Sequence, residues 1–395
     1  MKKYITIAAL TVCFAFPASG QTRVDEVLRS IETNNKELRA NIQFTLARKI
    51  ETRLDNNLPD PSVSYSHQYG NKEELGMQGE LVASQSFSFP TVYREKGKLA
   101  RTRSVGFDHE AAAFRQQILL QAKELCLDLV FLNQQQQLLE LRLNNATELA
   151  SLYAVRLATG DANVLEVNKI DLELLNARSE ARMNRSARDA RLQELAALNG
   201  GLPIAFADTV YAPLEVALSF ADLCREALPA NLKLRSLESD RVAARRLVGV
   251  MKAQHLPGFE LGYRLNTAMG GERFNGFLVG VSIPLFANRN KVKQAKAQTI
   301  YTDLQLESTS LVVKSELQGL YDRALALKTS IDEYDRLLKS RQNLLLLSKA
   351  IRSGQISMIE YFVEVSTLYD SMRNYILLQN EYQKAMARLY KHRLG

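Results

Sequence analysis

Two long stretches of the chain carry apolar residues at alternating steps of four and three. The first runs from Ile118 to Leu157 and the second from Leu317 to Leu338. A 3.5-residue period is typical of helices that wrap around partner helices in a left-handed coiled coil. Both stretches lack proline, which would cost a helix interior about 3 kcal/mol. The pattern therefore predicts two very long helices, from Thr91 to Ala158 and from Asn288 to Arg352.

Four short segments alternate with a period of two. In residues 63–69, 81–89, 259–266 and 277–283, mostly aromatic or aliphatic odd positions alternate with serine, glycine or polar residues. This pattern predicts β-strands with one apolar and one wet face, each about as long as a membrane-spanning strand. A soluble sheet with one buried face shows the same alternation, so the pattern by itself leaves both interpretations open.

The two halves of the chain repeat the same order of motifs, which indicates an internal duplication. Each half is predicted to contain a helix, a β-hairpin, a very long helix, a turn and a shorter helix. The predicted domains are a signal peptide (1–20), a first structural repeat (21–205) and a second structural repeat (206–395). The matching positions are Leu58-Pro59 with Leu256-Pro257, Phe89-Pro90 with Ile283-Pro284, Thr159-Gly160 with Ser353-Gly354, and Glu166 with Glu360.

The four strands of one chain leave two sheet edges open, and a lipid environment does not tolerate open edges. Three chains supply twelve strands, enough to close a barrel. The predicted fold is therefore an α+β membrane channel with a long α-helical coiled-coil barrel and four transmembrane β-strands per protomer. In this prediction a homotrimer closes a 12-stranded β-barrel.

The N-terminus has the pattern of a cleavable secretory signal peptide. Lys2 and Lys3 precede an apolar run from Ile5 to Phe16, and Ala18-Ser19-Gly20 supplies small residues for cleavage. The formal net charge of the chain is +8, but its basic and acidic residues are interleaved along the predicted helices. That arrangement indicates a solvated surface and no nucleic-acid partner.

Both predicted helix reversals carry a glycine followed by an apolar and acidic run. These segments are Thr159–Glu166 and Ser353–Glu360, and the second continues into Thr367-Leu368-Tyr369-Asp370. A further segment, Ile283-Pro284-Leu285-Phe286, leaves the last strand before a long helix. With these segments the chain resembles the TolC family of outer-membrane efflux proteins over essentially its whole mature length. Its compact form is similar to the CusC- and CzcC-like members.

The resemblance implies an outer-membrane channel that catalyses nothing. It would be a passive conduit for small molecules or metal ions in a tripartite efflux system. The implied partners are two further copies of the chain, a periplasmic adaptor protein, an inner-membrane pump of the resistance-nodulation-division type and outer-membrane lipid. The family's acylated cysteine is missing from the mature start, so attachment would rest on the strands.

The resemblance also implies where the functional residues lie. The two turns would form a periplasmic tip that docks the adaptor, and acidic side chains would line the aperture there. The residues implied for docking are Thr159, Gly160, Asp161, Ser353, Gly354 and Gln355, and those implied for the aperture are Glu360, Glu364 and Glu166.

Two alternatives remain open at this point. The chain would serve equally as the outer-membrane component of a type I secretion system. In a different class, it would be a periplasmic coiled-coil adaptor or scaffold with a small soluble sheet. We predict no catalytic residue, cofactor or metal site, because the four histidines are scattered without ligand spacing: His67, His109, His255 and His392. The transported substrate is left open.

Overall fold

The computed structural model describes residues 21–72, 76–214, 219–268, 271–339 and 343–394. The predicted signal peptide lies outside these residues and stays a prediction. The described part of the chain forms nine α-helices, four β-strands and a short 3₁₀ helix. In chain order they are α1 (Gln21–Asn34), α2 (Lys36–Leu54), β1 (Ser62–Tyr69), β2 (Met77–Phe87), α3 (Pro90–Thr159), α4 (Val164–Leu198), α5 (Phe220–Ala230), α6 (Leu232–Ala253), β3 (Gly258–Thr267), β4 (Arg273–Ser282), α7 (Lys291–Lys339), α8 (Asn343–Arg352), α9 (Met358–Leu389) and the 3₁₀ helix Lys391–Leu394.

The first long helix is confirmed. Helix α3 has 70 residues and includes all of the predicted range. The apolar positions spaced by four and three are largely buried along it, and Ala122 and Leu129 are fully buried. Leu157 differs, because it lies exposed in the last turn of α3, just before the chain reverses. The 3.5-residue pattern therefore identifies the packed side of this helix up to its final turn.

The second long helix is confirmed over most of its predicted range. Helix α7 has 49 residues, and α8 continues the helical chain to Arg352. The prediction of one helix between Asn288 and Arg352 also includes residues 340–342, which lie outside the described ranges. Of the helices described, none is both long enough and apolar enough to cross a membrane.

The four strands form one antiparallel sheet in the order β1-β2-β3-β4. Each predicted strand is present, with ends that differ from the expected ones by at most four residues. The central pairing joins β2 to β3 and so brings the two halves of the sequence together. Strands β1 and β4 lie at the two edges of the sheet.

The register of the sheet places its apolar residues on one face. Residues that pair directly across neighbouring strands share a face, and in all three pairings odd positions oppose odd positions. One row, for example, runs Ala83, Tyr263, Phe277. A shift by one residue in any pairing would send half of these side chains to the other face.

This apolar face is exposed in the protomer. Phe277 has 91% and Val279 74% of its surface accessible, and Val63, Tyr65 and Leu261 are exposed as well. A contiguous exposed apolar surface of this kind marks contact with another protein or with lipid, because soluble monomers rarely present one. The sheet is therefore not the half-buried sheet of a small soluble domain.

The described chain divides into two compact units. One comprises residues 21–36, 117–214 and 319–394, and the other comprises residues 37–116 and 219–318. Each unit draws segments from both halves of the sequence, and the sheet lies in the second. The domain boundary between residues 205 and 206 stays a prediction.

Candidate functional site at the two helix reversals

The first reversal joins α3 to α4 through a glycine-ended turn. Gly160 has a φ of +82°, in the left-handed region that glycine adopts without a steric penalty. Its N–H donates to the carbonyl of Leu157 at 3.2 Å, and the N–H of Asp161 donates to Arg156 at 2.7 Å. These two bonds satisfy carbonyls that the helix end would otherwise leave free, as in a Schellman motif.

The second reversal, between α8 and α9, repeats this geometry. Gly354 has a φ of +71°, and its N–H donates to the carbonyl of Ile351 at 3.3 Å. The N–H of Gln355 donates to Ala350 at 2.9 Å. The two predicted tip turns are thus the same structure built twice, and both depend on the glycine that the sequence pattern singled out.

The helices that leave the turns begin with matching capping boxes. The N–H of Glu166 donates to the side chain of Asn163 at 2.9 Å, and the Glu166 carboxylate accepts from the Asn163 N–H at 3.0 Å. The N–H of Glu360 donates to the Ser357 hydroxyl at 3.2 Å, and its carboxylate accepts from the Ser357 N–H at 2.8 Å. Glu166 and Glu360 therefore stabilise the first turns of α4 and α9.

We did not predict this capping role from the sequence, although the sequence contains a motif that indicates it. A serine or threonine three residues before a glutamate, at the start of an apolar run, is the pattern of a capping box. Ser357 and Glu360 fit it, and Asn163 with Glu166 is the amide variant. Glu364 makes no cap and lies exposed one turn further along α9.

The cap favours the charged form of Glu360. The hydrogen bond from the Ser357 backbone, reinforced by the Ser357 side chain, lowers the pKa of the Glu360 carboxyl. A lowered pKa means that the cap stabilises the fold above the ordinary glutamate pKa and is lost as the pH falls through the lowered value.

An apolar cluster holds the two tips together within the first compact unit. Ile170 of α4 and Ile351 of α8 are each 1% exposed, and burying a side chain of this size contributes about 1.5–3 kcal/mol. The cluster, which we call the tip core, consists of Leu149, Tyr153, Ile170, Ile351, Met358, Tyr361, Val365 and Tyr369.

Two arginines link α3 to the end of α8. Arg156 donates to the backbone carbonyl of Arg352 at 3.2 Å, and the side chain of Arg352 pairs with Glu148 on α3. A cation near a helix C-terminus also interacts favourably with the free carbonyls there. The sequence does not reveal this contact, because its partners are about 200 residues apart.

A third arginine packs beside the tip core. Arg142 makes a two-pronged ion pair with Glu173, at 2.7 and 3.1 Å, and its guanidinium lies 5.6 Å from the centre of the Tyr369 ring. The Tyr369 hydroxyl accepts a hydrogen bond from Asn145 at 2.9 Å, and burial raises the pKa of Tyr369 to about 12. These contacts connect α3, α4 and α9.

Each tip also presents an aliphatic side chain to solvent at the same place in its helix. Leu165 is 78% exposed and Ile359 is 67% exposed. Both occupy the second position of their helix, directly before the capping glutamate. The two tips thus offer the same chemistry twice, an apolar side chain next to a carboxylate at a glycine turn.

We expect Gly354→Ala to destabilise the protein by about 1–2 kcal/mol, since an L-residue must adopt a left-handed conformation there. A Cβ at this position meets no atom within 4 Å, so the cost comes from the backbone alone. The matched control is Gly319→Ala in the middle of α7, where a Cβ is equally free of contacts. That substitution should stabilise by up to about 1 kcal/mol. Thermal unfolding in detergent measures both, and equal shifts in the two variants would contradict the prediction.

Comparison with known proteins agrees with this geometry. Residues 223–392 match the family model described as outer membrane efflux protein. A crystal structure of a membrane protein from Pseudomonas aeruginosa is similar with a TM-score of 0.79 and 16% identity, over 94% of this chain and 93% of that one. CusC is similar with a TM-score of 0.77 and 18% identity, over 97% and 95% of the two chains. The outer membrane protein VceC from Vibrio cholerae has a TM-score of 0.77 and 15% identity, over 95% and 96%.

No sequence among the curated proteins matches the chain significantly. The family match and the shared fold nevertheless confirm the resemblance to TolC-like outer-membrane efflux proteins, which are channel proteins and not enzymes. Within the described residues, no three histidine, cysteine or acidic side chains are placed to hold a metal ion.

Proposed function

We propose that this chain is the outer-membrane channel subunit of a tripartite efflux system. A homotrimer would serve as a passive conduit for small molecules or metal ions, working with a periplasmic adaptor and an inner-membrane pump of the resistance-nodulation-division type. The observation that carries the proposal is the exposed apolar face of the sheet. The register gathers most of the large apolar side chains on that face. The opposite face carries serine, glycine and three charged residues, together with Val82, Phe274 and Leu278.

The sheet of one protomer supports closure by copies of itself. Its edge strands are β1 and β4, and every residue of β1 is exposed. Free strand edges are not tolerated in lipid, whereas β4 of one chain can pair with β1 of the next. Three copies then give twelve strands with lipid against the apolar face and water against the other.

The long helices also have unpartnered apolar residues. On α7, Ile300, Leu304 and Leu311 are all exposed in the protomer. Neighbouring copies in a trimer would cover such positions, and burial of apolar area is the main favourable term in protein association. This supports a helical barrel in the periplasm, continuous with strands in the outer membrane.

The tips provide the surface for the adaptor and the aperture. We propose that the turn residues, with Leu165 and Ile359 beside them, contact the adaptor. We further propose that Glu360, with Glu364 and Glu166, lines the aperture around the threefold axis. Three like charges close to an axis repel one another and attract cations.

Two other functions were compatible with the sequence. The outer-membrane component of a type I secretion system would have the same fold, so the identity of the pump decides between these two. A soluble periplasmic scaffold is disfavoured by the sheet, because such a protein would expose Phe277 and Val279 to water without any gain.

The test is chemical labelling of single cysteines in the outer-membrane fraction, in a Cys224→Ser background. Cys13 belongs to the predicted signal peptide. Cys126 is buried, which raises its pKa to about 12 and keeps it unreactive. We expect a protein that runs as a trimer in mild detergent. In it, cysteine should label poorly with a polar reagent at Phe87 and Val279, because lipid excludes the reagent.

The matched positions on the opposite face are Ser86 and Arg264, and cysteine there should label readily because a wet lumen admits the reagent. Ser86 neighbours Phe87 in the same strand, so the two differ only in the face on which they lie. Equal labelling at all four positions, or a water-soluble monomer without detergent, would refute the channel.

A further inference from the structure

The wet face of the sheet is formed by the even-numbered residues of the strands. Even-numbered positions are mostly serine or glycine, and Gly258, Gly262, Gly276 and Gly280 lie among them. At two of these glycines an added Cβ would collide with a neighbour: 2.7 Å from the Ser282 hydroxyl at Gly258, and 2.6 Å from the Ala83 carbonyl at Gly262. The wet-face positions of the strands are Ser62, Ser64, Ser66, Gln68, Gln78, Glu80, Val82, Ser84, Ser86, Gly258, Glu260, Gly262, Arg264, Asn266, Phe274, Gly276, Leu278, Gly280 and Ser282.

Three charged side chains occupy this face, and two of them neutralise each other. Arg264 forms an ion pair with Glu80 at 2.9 Å across the β2–β3 pairing. Glu260 makes no ion pair with any of the described residues. Each protomer therefore contributes one uncompensated negative charge to its wet face.

Glu260 has only small residues beside it on the two neighbouring strands. Its cross-strand neighbours are Ser86 and Gly280. A Cβ added at Gly280 would lie 3.3 Å from the Glu260 carboxylate, so this carboxylate occupies space that a glycine leaves open. It lies at the end of β3 nearest to α6, where the chain enters the sheet from the helices.

Arg264 is too distant to cancel the charge of Glu260. The two residues are four positions apart on one strand, which corresponds to about 13 Å at a rise of 3.3 Å per residue. Charges exposed to water are largely screened beyond about 8 Å at physiological ionic strength. Within one protomer, the field near Glu260 is therefore set by Glu260 itself.

We propose that Glu260 is a second determinant of ion selectivity, separate from the tips. In a trimer with the wet face inward, three Glu260 carboxylates ring the lumen where the helices meet the strands. This ring favours small cations over anions among the solutes that pass. The inference rests on the proposed channel and assigns part of its charge preference to the sheet.

The experiment measures reversal potentials of the purified full-length trimer in planar bilayers under a KCl gradient. Glu260→Gln should lower the K⁺/Cl⁻ permeability ratio by about twofold or more. The same change should appear in a Glu360→Gln background, because the two rings act independently. The matched control is Glu272→Gln, which removes the same charge from an exposed position before β4 and should change the ratio far less.

If the Glu260→Gln variant assembles poorly, Glu260→Cys in the Cys224→Ser background provides a second test. Modification with a sulfonate-bearing methanethiosulfonate should raise the K⁺/Cl⁻ permeability ratio again, whereas a trimethylammonium reagent should lower it further. If neither the substitution nor the reagent changes the permeability ratio, Glu260 has no role in selectivity. That result would leave the proposed channel unaffected. A wild-type trimer that conducts no ions would overturn the channel and this inference together.

Discussion

Replacing Glu360 with lysine is expected to shift the preference of the reconstituted channel toward anions, whereas Glu360→Gln should weaken its cation preference without reversing it. The reason is that three copies of residue 360 would surround one narrow aperture, so glutamine removes three negative charges from the ring and lysine replaces them with three positive ones. Reversal potentials in planar bilayers measure both results.

Because of the capping box, Glu360→Gln tests the charge more specifically than Glu360→Lys does. A glutamine oxygen still accepts the Ser357 N–H, so Glu360→Gln removes the charge and keeps the first turn of α9. Lysine removes both charge and acceptor. The matched controls are Glu166→Gln and Glu166→Lys, which make the same two changes in the equivalent box of α4.

These controls separate a local structural effect from an effect at the aperture. If lysine alters selectivity equally at both positions while glutamine alters it at neither, disruption of the first helical turn, and not the charge of Glu360, is the cause. If neither Glu360 variant alters selectivity, Glu360 is only a helix cap. The constriction then lies at Glu364 or Glu166.

Truncating the tip core should loosen both turns. We expect Ile170→Ala to cost about 2–5 kcal/mol of local stability, because it removes a fully buried aliphatic group and leaves a cavity among packed neighbours. The matched control is Leu165→Ala on the same helix, which removes an exposed aliphatic side chain and should cost far less. Hydrogen exchange of backbone amides in peptides from the two turns measures the difference.

The expected pattern is faster exchange at both turns in Ile170→Ala, including the turn at Gly354. Ile170 and Ile351 belong to the same cluster, so a cavity at one weakens the packing of the other. Faster exchange confined to the turn at Gly160 would show that the two tips are stabilised separately. Equal exchange in the Ile170 and Leu165 variants would contradict the buried role of Ile170.

The sequence by itself determined the elements of this protein. A 3.5-residue period without proline specifies α3 because such a helix has one continuous apolar side. Strand alternation is equally local, since successive side chains of a strand point to opposite faces. The glycines at 160 and 354 were identifiable because helix reversals commonly need a left-handed residue at that place.

Only the tertiary structure decided how these elements combine. The pairing of β2 with β3 joins residues about 180 apart, and no local pattern fixes whether odd positions oppose odd or even ones. The ion pair of Arg264 with Glu80, which leaves Glu260 unpaired, follows from that register. The contact of Arg156 with Arg352 likewise depends on where two distant helix ends meet. Periodicity is set by backbone geometry within a segment, whereas register and charge pairing are set by packing between segments, so the structure alone supplies them.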